Sequence, residues 1–284
     1  MMKKENMEKE LLFFAVGDAG ENNPIKRDIS KIIRKHSPNK IILLGDNFYK
    51  YGIDSEYDER WKTHYEDIFP NTTMYSTLGN HCYLGNIDAQ INYSKLNKNW
   101  ILPNRYYDKK IYLDEKDYIH LISLDTFEIA RKESTNCSLN MGIDHNKMKN
   151  YLSNFNSKEQ LEWLDNTLKN STAKWKIVFG HYPIFSNGTH GDCPEMIDQV
   201  LPILLKNNVH LYLSGHDHNI CYSQYDNLHV IVSGNGSYIT NIKKDPFFKE
   251  LSSSHGICYL KIKTSQLEFG FYDLDGKKLF SKCI

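Results

Sequence analysis

Five short apolar runs in this chain break at glycine and then present a side chain with a hard oxygen or an imidazole nitrogen. Leu11–Val16 leads to Gly17-Asp18, and Lys40–Leu44 leads to Gly45-Asp46 with Tyr49 three residues on. Thr73–Leu78 leads to Gly79-Asn80-His81, Trp175–Phe179 to Gly180-His181, and Val209–Leu213 to Gly215-His216-Asp217-His218. Carboxylate, phenol, amide and imidazole donors suit a transition metal, and none of them is a soft thiolate. Taken singly each motif is ordinary, since Gly-Asp can be a turn and Gly-His-x-His a loop. Recurrence in order at five run ends is what argues for a site. Asp18, Asp46, Tyr49, Asn80, His181, His216 and His218 outnumber the ligands of one tetrahedral zinc ion. They fit two neighbouring metal ions with a carboxylate bridging them.

Such a site needs strands to deliver it. A short β-branched and leucine run ended by glycine predicts a buried strand leading into a loop. Between the first two runs, Pro24–His36 places Ile25, Ile29, Ile32 and Ile33 at helical spacing. That order predicts a parallel strand pair with a crossover helix, and both aspartates at one sheet edge, where α/β sheets commonly carry reactive groups. Helical character is expected around Tyr57–Phe69, within 84–100 and over Pro194–Lys206, and a strand over Tyr118–Leu124. Ser157 is expected to N-cap a helix carrying Leu161, Leu164 and Leu168. The tail (229–233, 257–263, 266–272) reads as strands with a hairpin turn at Asp275-Gly276. The polar stretch from about 128 to 150 is expected to form a surface excursion, over the site.

No linker or repeat divides the 284 residues, so 11–284 is expected to be a single catalytic domain after a polar extension, 1–10. Thirty-five basic and thirty-five acidic residues cancel, so no nucleic-acid partner is expected. No apolar run approaches the roughly 18 residues of a membrane span. Met1–Glu10 is charged and the run after it is too short for a signal core, which leaves a cytosolic protein or one that follows a leader. Six cysteines show no Cys-x-x-Cys pair, against a structural zinc site of that type. His36, His64, His120, His145, His210, His229 and His255 read as packed or surface residues.

In order, Gly17-Asp18-Ala19-Gly20, Gly45-Asp46-Asn47-Phe48-Tyr49, Gly79-Asn80-His81, Gly180-His181-Tyr182-Pro183 and Gly215-His216-Asp217-His218 resemble the motif set of the purple acid phosphatases, dinuclear members of the metallophosphoesterase superfamily. Gly85–Tyr93 is similar to the small, tartrate-resistant mammalian type. The resemblance implies an α/β fold, a two-sheet β-sandwich flanked by helices, with a dinuclear metal site at strand ends. It implies that Asp18, Asp46, Tyr49 and His218 hold Fe(III), and that Asp46 bridges to a second divalent metal (Fe, Zn or Mn) held also by Asn80, His181 and His216. The implied activity is acid phosphatase, hydrolysing phosphate monoesters by attack of a metal-bound hydroxide, on small molecules or phosphoproteins. His81, beside Asn80, and His190, nine residues beyond His181, are then the candidates for substrate binding and leaving-group protonation. A monomer is expected. The family points to a secretory, lysosomal or vacuolar compartment, although no signal peptide is visible. Two alternatives stand beside this reading: phosphodiester or nucleotide hydrolysis on the same fold, and a non-enzymatic anchor of the glideosome-associated type. Those anchors lose ligand residues, whereas every metal position is filled here.

Two residues depart from the family pattern. Cys82 stands where Asp or Glu usually follows Gly-Asn-His, which removes a carboxylate that would orient a ligand or the catalytic histidine. It could be a redox liability beside the metals or a tolerated small residue, and weakened but surviving activity is expected. Ala19 replaces a common tryptophan and is expected to open the rim. Cys137 and Cys193 fall near the positions of a bridge in the mammalian type. If they are bridged, quantitative thiol labelling without reductant leaves both unmodified, and labelling of both rejects the bridge.

Overall fold

The computed structural model describes residues 8–130, 153, 156–252 and 254–284. Among them the chain forms two mixed seven-stranded sheets flanked by helices. The first sheet contains β1 (Leu11–Val16), β2 (Lys40–Leu43), β3 (Thr73–Ser76), β4 (Trp100–Ile101), β12 (Gly256–Ile262), β13 (Leu267–Asp273) and β14 (Lys278–Cys283), in the order β14-β13-β12-β1-β2-β3-β4. The second contains β5 (Tyr107–Tyr112), β6 (Tyr118–Ser123), β7 (Trp175–Phe179), β8 (Leu211–Ser214), β9 (Ile220–Tyr225), β10 (Leu228–Ser233) and β11 (Phe248–Ser252), in the order β11-β9-β10-β8-β7-β6-β5.

Strands β1 to β4 are parallel, as are β6, β7, β8 and β10. The five motif-bearing strands all belong to these parallel blocks, so within each sheet their C-terminal ends share one edge. Ile41–Leu43, Ile177–Phe179 and Leu211–Leu213 are buried throughout, as parallel strands covered on both faces should be. The sheets are tied where their strands end. Gly17 N donates to Ser233 O at 2.7 Å, Ser233 Oγ to Ala15 O at 3.0 Å, and Thr77 Oγ1 to Leu124 O at 2.8 Å.

Helix α1 (Pro24–His36) makes the expected crossover. Asn23 caps it by accepting from Lys26 N, Pro24 occupies the first turn, and Arg34, Lys35 and His36 sit at the negative end of its dipole. Ile29, Ile32 and Ile33 are buried against the first sheet together with Lys26, one turn before Ile29. The Lys26 ammonium lies over the Tyr65 ring, 4.3 Å from its centroid, and its Nζ has no hydrogen-bond partner.

Helix α2 (Ile87–Leu96) bears out the helical reading of 84–100. A short α3 (Thr126–Ile129) follows β6, then α4 (Ser157–Lys169) and α5 (Leu201–Lys206). One cap differs from expectation: Asn156 holds the N-cap position of α4, without a side-chain cap bond, and Ser157 is already helical. Strands β4, β5, β9, β11 and β14 go beyond the sequence expectations, and Trp100, at the end of the 84–100 stretch, belongs to β4. β5 (YDKKIY) and β14 (KLFSKC) are sheet edges whose charged residues hide the alternation. The hairpin turn between β13 and β14 forms at Asp275-Gly276, with Gly276 at φ 78°. Residues 1–7, most of the 128–150 stretch, Cys137 and His145 lie outside the described residues. No helix among the described residues is long and apolar enough to cross a membrane.

Burial pushes the Lys26 amine down to about 7, with Glu21 opposing. A lysine whose folded value lies below its unfolded value costs stability in full below the folded value, and the cost fades as pH rises towards the unfolded one. Lys26→Met should therefore raise Tm by ~4 °C or more at pH 7 and below, with the gain shrinking towards pH 10. An unchanged or lower Tm at pH 6 in a thermal melt would show that the contact with Tyr65 outweighs the burial.

Candidate metal centre

The five strand ends bring their side chains to one place. Asp18, Asp46 and His181 are buried, and each offers a ligand atom within 4.8 Å of the others. Two groupings surround them. On one side Tyr49 OH donates to Asp18 Oδ1 at 3.1 Å and lies 3.2 Å from His218 Nε2. On the other, His181 Nε2 faces Asn80 Oδ1 at 2.8 Å and Asp46 Oδ1 at 3.6 Å. The His216 ring centroid is 5.1 Å from that of His181. All seven sequence-derived ligand candidates thus fall around one locus, with Asp46 next to His181.

The backbone is bent to achieve this. Asp18, Asp46 and His216 all adopt left-handed conformations, at φ 57°, 51° and 69°. Non-glycine residues rarely do so, and a functional constraint is the usual reason. Their carboxylates also hold the turns: His216 N donates to Asp18 Oδ2 at 2.8 Å and His81 N to Asp46 Oδ1 at 2.9 Å. Two glycines are required for closeness. Gly45 sits at φ 90°, and a Cβ there would lie 2.6 Å from His181 Nδ1. A Cβ at Gly79 would overlap Asp46 Oδ1.

The donor set fits metal ions. Among the described residues, the ion-pair partners of Asp18 and Asp46 are histidines, with no lysine or arginine to neutralise two buried carboxylates. His181 Nδ1–H donates to Leu44 O at 2.9 Å. In the neutral ring this leaves the Nε2 lone pair aimed at the oxygens of Asn80 and Asp46. Electron pairs from three residues converge there, and a cation satisfies them. Burial and the charges of Asp18 and Asp46 hold the Tyr49 phenol well above its ordinary pKa, an order that a bound cation inverts. His218 is pulled down by burial but carried above the ordinary histidine value by its bond to Asp18 and the charges of Asp18 and Asp46.

His81 and His190 stand at the mouth. The part-exposed His81 holds its Nδ1–H on Lys50 O at 2.6 Å, and its Nε2 lies 3.8 Å from Asp46 Oδ2. The exposed His190 packs its ring 4.1 Å from that of His216. None of the other described histidines joins them; His120, for example, is buried against Asp108 and Ser171.

Supporting residues were harder to read from the sequence. Asn47 Nδ2 donates to Thr77 O and Gln90 Oε1, both at 2.9 Å, beneath the Asp46 turn. Thr126 Oγ1 accepts from His181 N at 3.1 Å and Tyr182 N at 3.0 Å. Asp217, inside a recognised motif, accepts from the loop that carries His190. Tyr238 stacks on His218 at 5.8 Å and had no sequence signal.

Two expectations about departures are revised. Cys82 is fully buried, accepts from Gly79 N at 3.4 Å, and is pushed up to about 11 by burial and the charge of Asp46. Burial of the thiol favours the small-residue reading over the redox liability. Ala19 opens no rim. It is buried, and a Cβ at Gly236 would lie 2.8 Å from its methyl group. The segment leading to the exposed Tyr238 takes the space instead.

The calcineurin-like phosphoesterase family matches residues 12–219 of the chain. Tartrate-resistant acid phosphatase type 5 of Sus scrofa is 30% identical over 297 residues, covering 95% of this chain and 85% of that protein. Purple acid phosphatase 7 of Arabidopsis thaliana is 29% identical, covering 97% and 86%. Among solved structures, GAP50, the anchor in the inner membrane complex of Plasmodium, superposes with a TM-score of 0.78 at 23% identity, covering 96% of this chain and 88% of that one. At that identity the likeness speaks for the fold alone.

Gly45→Ala should destabilise the chain by about 3 kcal/mol, through backbone strain and the collision with His181. It should also lower the metal retained in equilibrium dialysis. Wild-type stability in a denaturant titration would remove Gly45 from the construction of the site.

Proposed function

The chain belongs to the calcineurin-like phosphoesterases, on their purple acid phosphatase branch, and from that premise we propose that it is an acid phosphatase acting on phosphate monoesters at a dinuclear Fe(III)–M(II) centre, with Fe, Zn or Mn as the second metal. Residues 11–284 form the catalytic domain in this reading. The observation that carries it is the convergence of Asp18, Asp46 and His181 with Tyr49 beside them. Asp18, Asp46, Tyr49 and His218 would hold Fe(III), the ion best served by carboxylate and phenolate oxygens. Asp46, Asn80, His181 and His216 would hold the divalent ion, with Asp46 shared.

What a metal pair supplies here is charge neutralisation of the phosphate and a water of lowered pKa. The chain's own residues do the rest. His81, tethered through Nδ1, would offer its other nitrogen to a phosphate oxygen. His190, exposed at the mouth beside His216, would give its proton to the leaving oxygen as the ester P–O bond breaks. Each task uses a ring N–H as the donor, to a phosphate oxygen from His81 and to the leaving oxygen from His190. With Cys82 in place of the usual carboxylate, weakened but surviving activity is expected.

The test is p-nitrophenyl phosphate hydrolysis against pH on iron-loaded protein, with Asp46→Asn as the blank. Turnover peaking below pH 7 and lost in the blank is the expected result. With both metals bound and no turnover above the blank, the reading fails. Hydrolysis of bis(p-nitrophenyl) phosphate would then favour a diesterase, and inertness towards both esters the anchor.

A further inference from the structure

Asp217 lies between two ligand candidates, is completely buried, and spends its carboxylate on one loop. Oδ2 accepts from Ser186 Oγ at 2.5 Å and from Gly191 N at 3.1 Å, while Oδ1 accepts from the backbone N of His190 itself at 2.9 Å. The approach is so close that a Cβ at Gly188 would overlap the carboxyl carbon of Asp217. The outer side of the loop is not packed in the same way: Ser186, Gly188 and Gly191 line a cavity of about 500 Å³. The loop is also tied at Asn187, whose Nδ2 and O bond the Lys243 backbone at 2.7 and 2.9 Å, and at Ser186, whose N donates to Asp192 Oδ1 at 2.8 Å and whose Oγ accepts from Gly188 N at 3.1 Å.

We infer that Asp217 is the positioning residue for His190: the residue between His216 and His218 also sets where the leaving-group proton is delivered. This rests on the phosphatase reading above. It assigns the Gly-His-Asp-His motif two tasks, ligands on either side and the acid's loop in the middle. The reason for a carboxylate is geometric. It offers acceptors in both directions to three donors, whereas an asparagine would turn one oxygen into a donor facing Ser186 and Gly191. A leaving oxygen of low basicity needs little help from an acid, while an alkoxide needs a proton as its bond to phosphorus breaks. Misplacing His190 should therefore harm alkyl esters selectively.

The experiment compares wild type with Asp217→Asn, Ser186→Ala, His190→Ala and the double variant Asp217→Asn/His190→Ala, each with its metal content and Tm measured. Glycerol 2-phosphate and p-nitrophenyl phosphate are the substrates. Asp217→Asn should lower kcat on glycerol 2-phosphate by about 10²-fold and on p-nitrophenyl phosphate by no more than about threefold. Ser186→Ala, the milder change, should show the same pattern less strongly, and the double variant should be no worse than His190→Ala. An equal fall on both esters, or additive losses, would overturn the inference. A second readout does not need turnover: the His190 Hε1 resonance should shift or broaden in Asp217→Asn and Ser186→Ala. An unmoved resonance overturns the inference even if the protein proves to be no phosphatase. A moved resonance in a protein inert to all esters keeps the positioning and removes only the phosphatase reading.

Discussion

Two carboxylates buried side by side, with imidazoles rather than ammonium or guanidinium groups for company, are the constraint around which this protein is built. Removing a charge from water is costly unless something of opposite sign replaces the water, and among the described side chains the ion-pair partners of the Asp18–Asp46 pair are histidines alone. The surrounding architecture follows from that demand. Parallel strands in both sheets end at the same locus, glycines clear the space, and three non-glycine residues take left-handed conformations so that oxygens and nitrogens face inward. Strain of this kind persists only where the surroundings over-determine it. Here backbone donors from His81 and His216 close on the two aspartates and fix them.

Behind the ligands lies a polar layer that is buried almost as deeply. Asn47 joins Thr77 and Gln90, and Thr126 holds the backbone of the His181 turn. Next to Thr126, Arg105 bonds both Asp125 at 2.9 Å and Glu128 at 3.1 Å, and Gln160 bonds Glu128 at 3.0 Å. Burial lifts Asp125 to about 6 despite the arginine. Buried polar networks of this kind give rigidity and a unique geometry more than net stability, and this one leaves Gln90 Nε2, Asp125 Oδ1 and Glu128 Oε1 without a hydrogen-bond partner. In that light the thiol at position 82 is a modest loss, because its sulfur still accepts from Gly79 N.

Much of this was legible because each ligand follows a strand and a glycine, so local pattern and chemistry coincide. The order of the motifs was enough for the parallel pair β1–β2, the crossover helix α1 and all seven ligand candidates. What escaped notice has a common cause. Lys26 reads by type as one more surface lysine, although its spacing to Ile29 and Ile33 puts it on the buried face of the helix. The edge strands β5 and β14 carry the charges that edges need and so lack an apolar signature. Ala19 suggested an opening only because its covering, the Gly236–Tyr238 segment, is more than two hundred residues away in the chain. Asp217 was visible as a letter in a motif, but its task depends on a loop about thirty residues earlier folding back onto it.

Hydrogen bonds through Ser233, Ala15, Gly17, Thr77 and Leu124 join the two sheets without a ligand side chain, beside the bonds of His181 Nδ1 to Leu44 O and His216 N to Asp18 Oδ2 that do use one. Scaffold and chemistry are therefore largely separable inheritances. A lineage could exchange any one of the aspartates or histidines at the strand ends and keep the sandwich closed, carrying its shape into roles where only the outer surface matters. It could equally keep the site while its edges, helices and loops drift, since the junction that aligns the two sheets asks of most of its members only a backbone carbonyl or amide, and a hydroxyl of two of them.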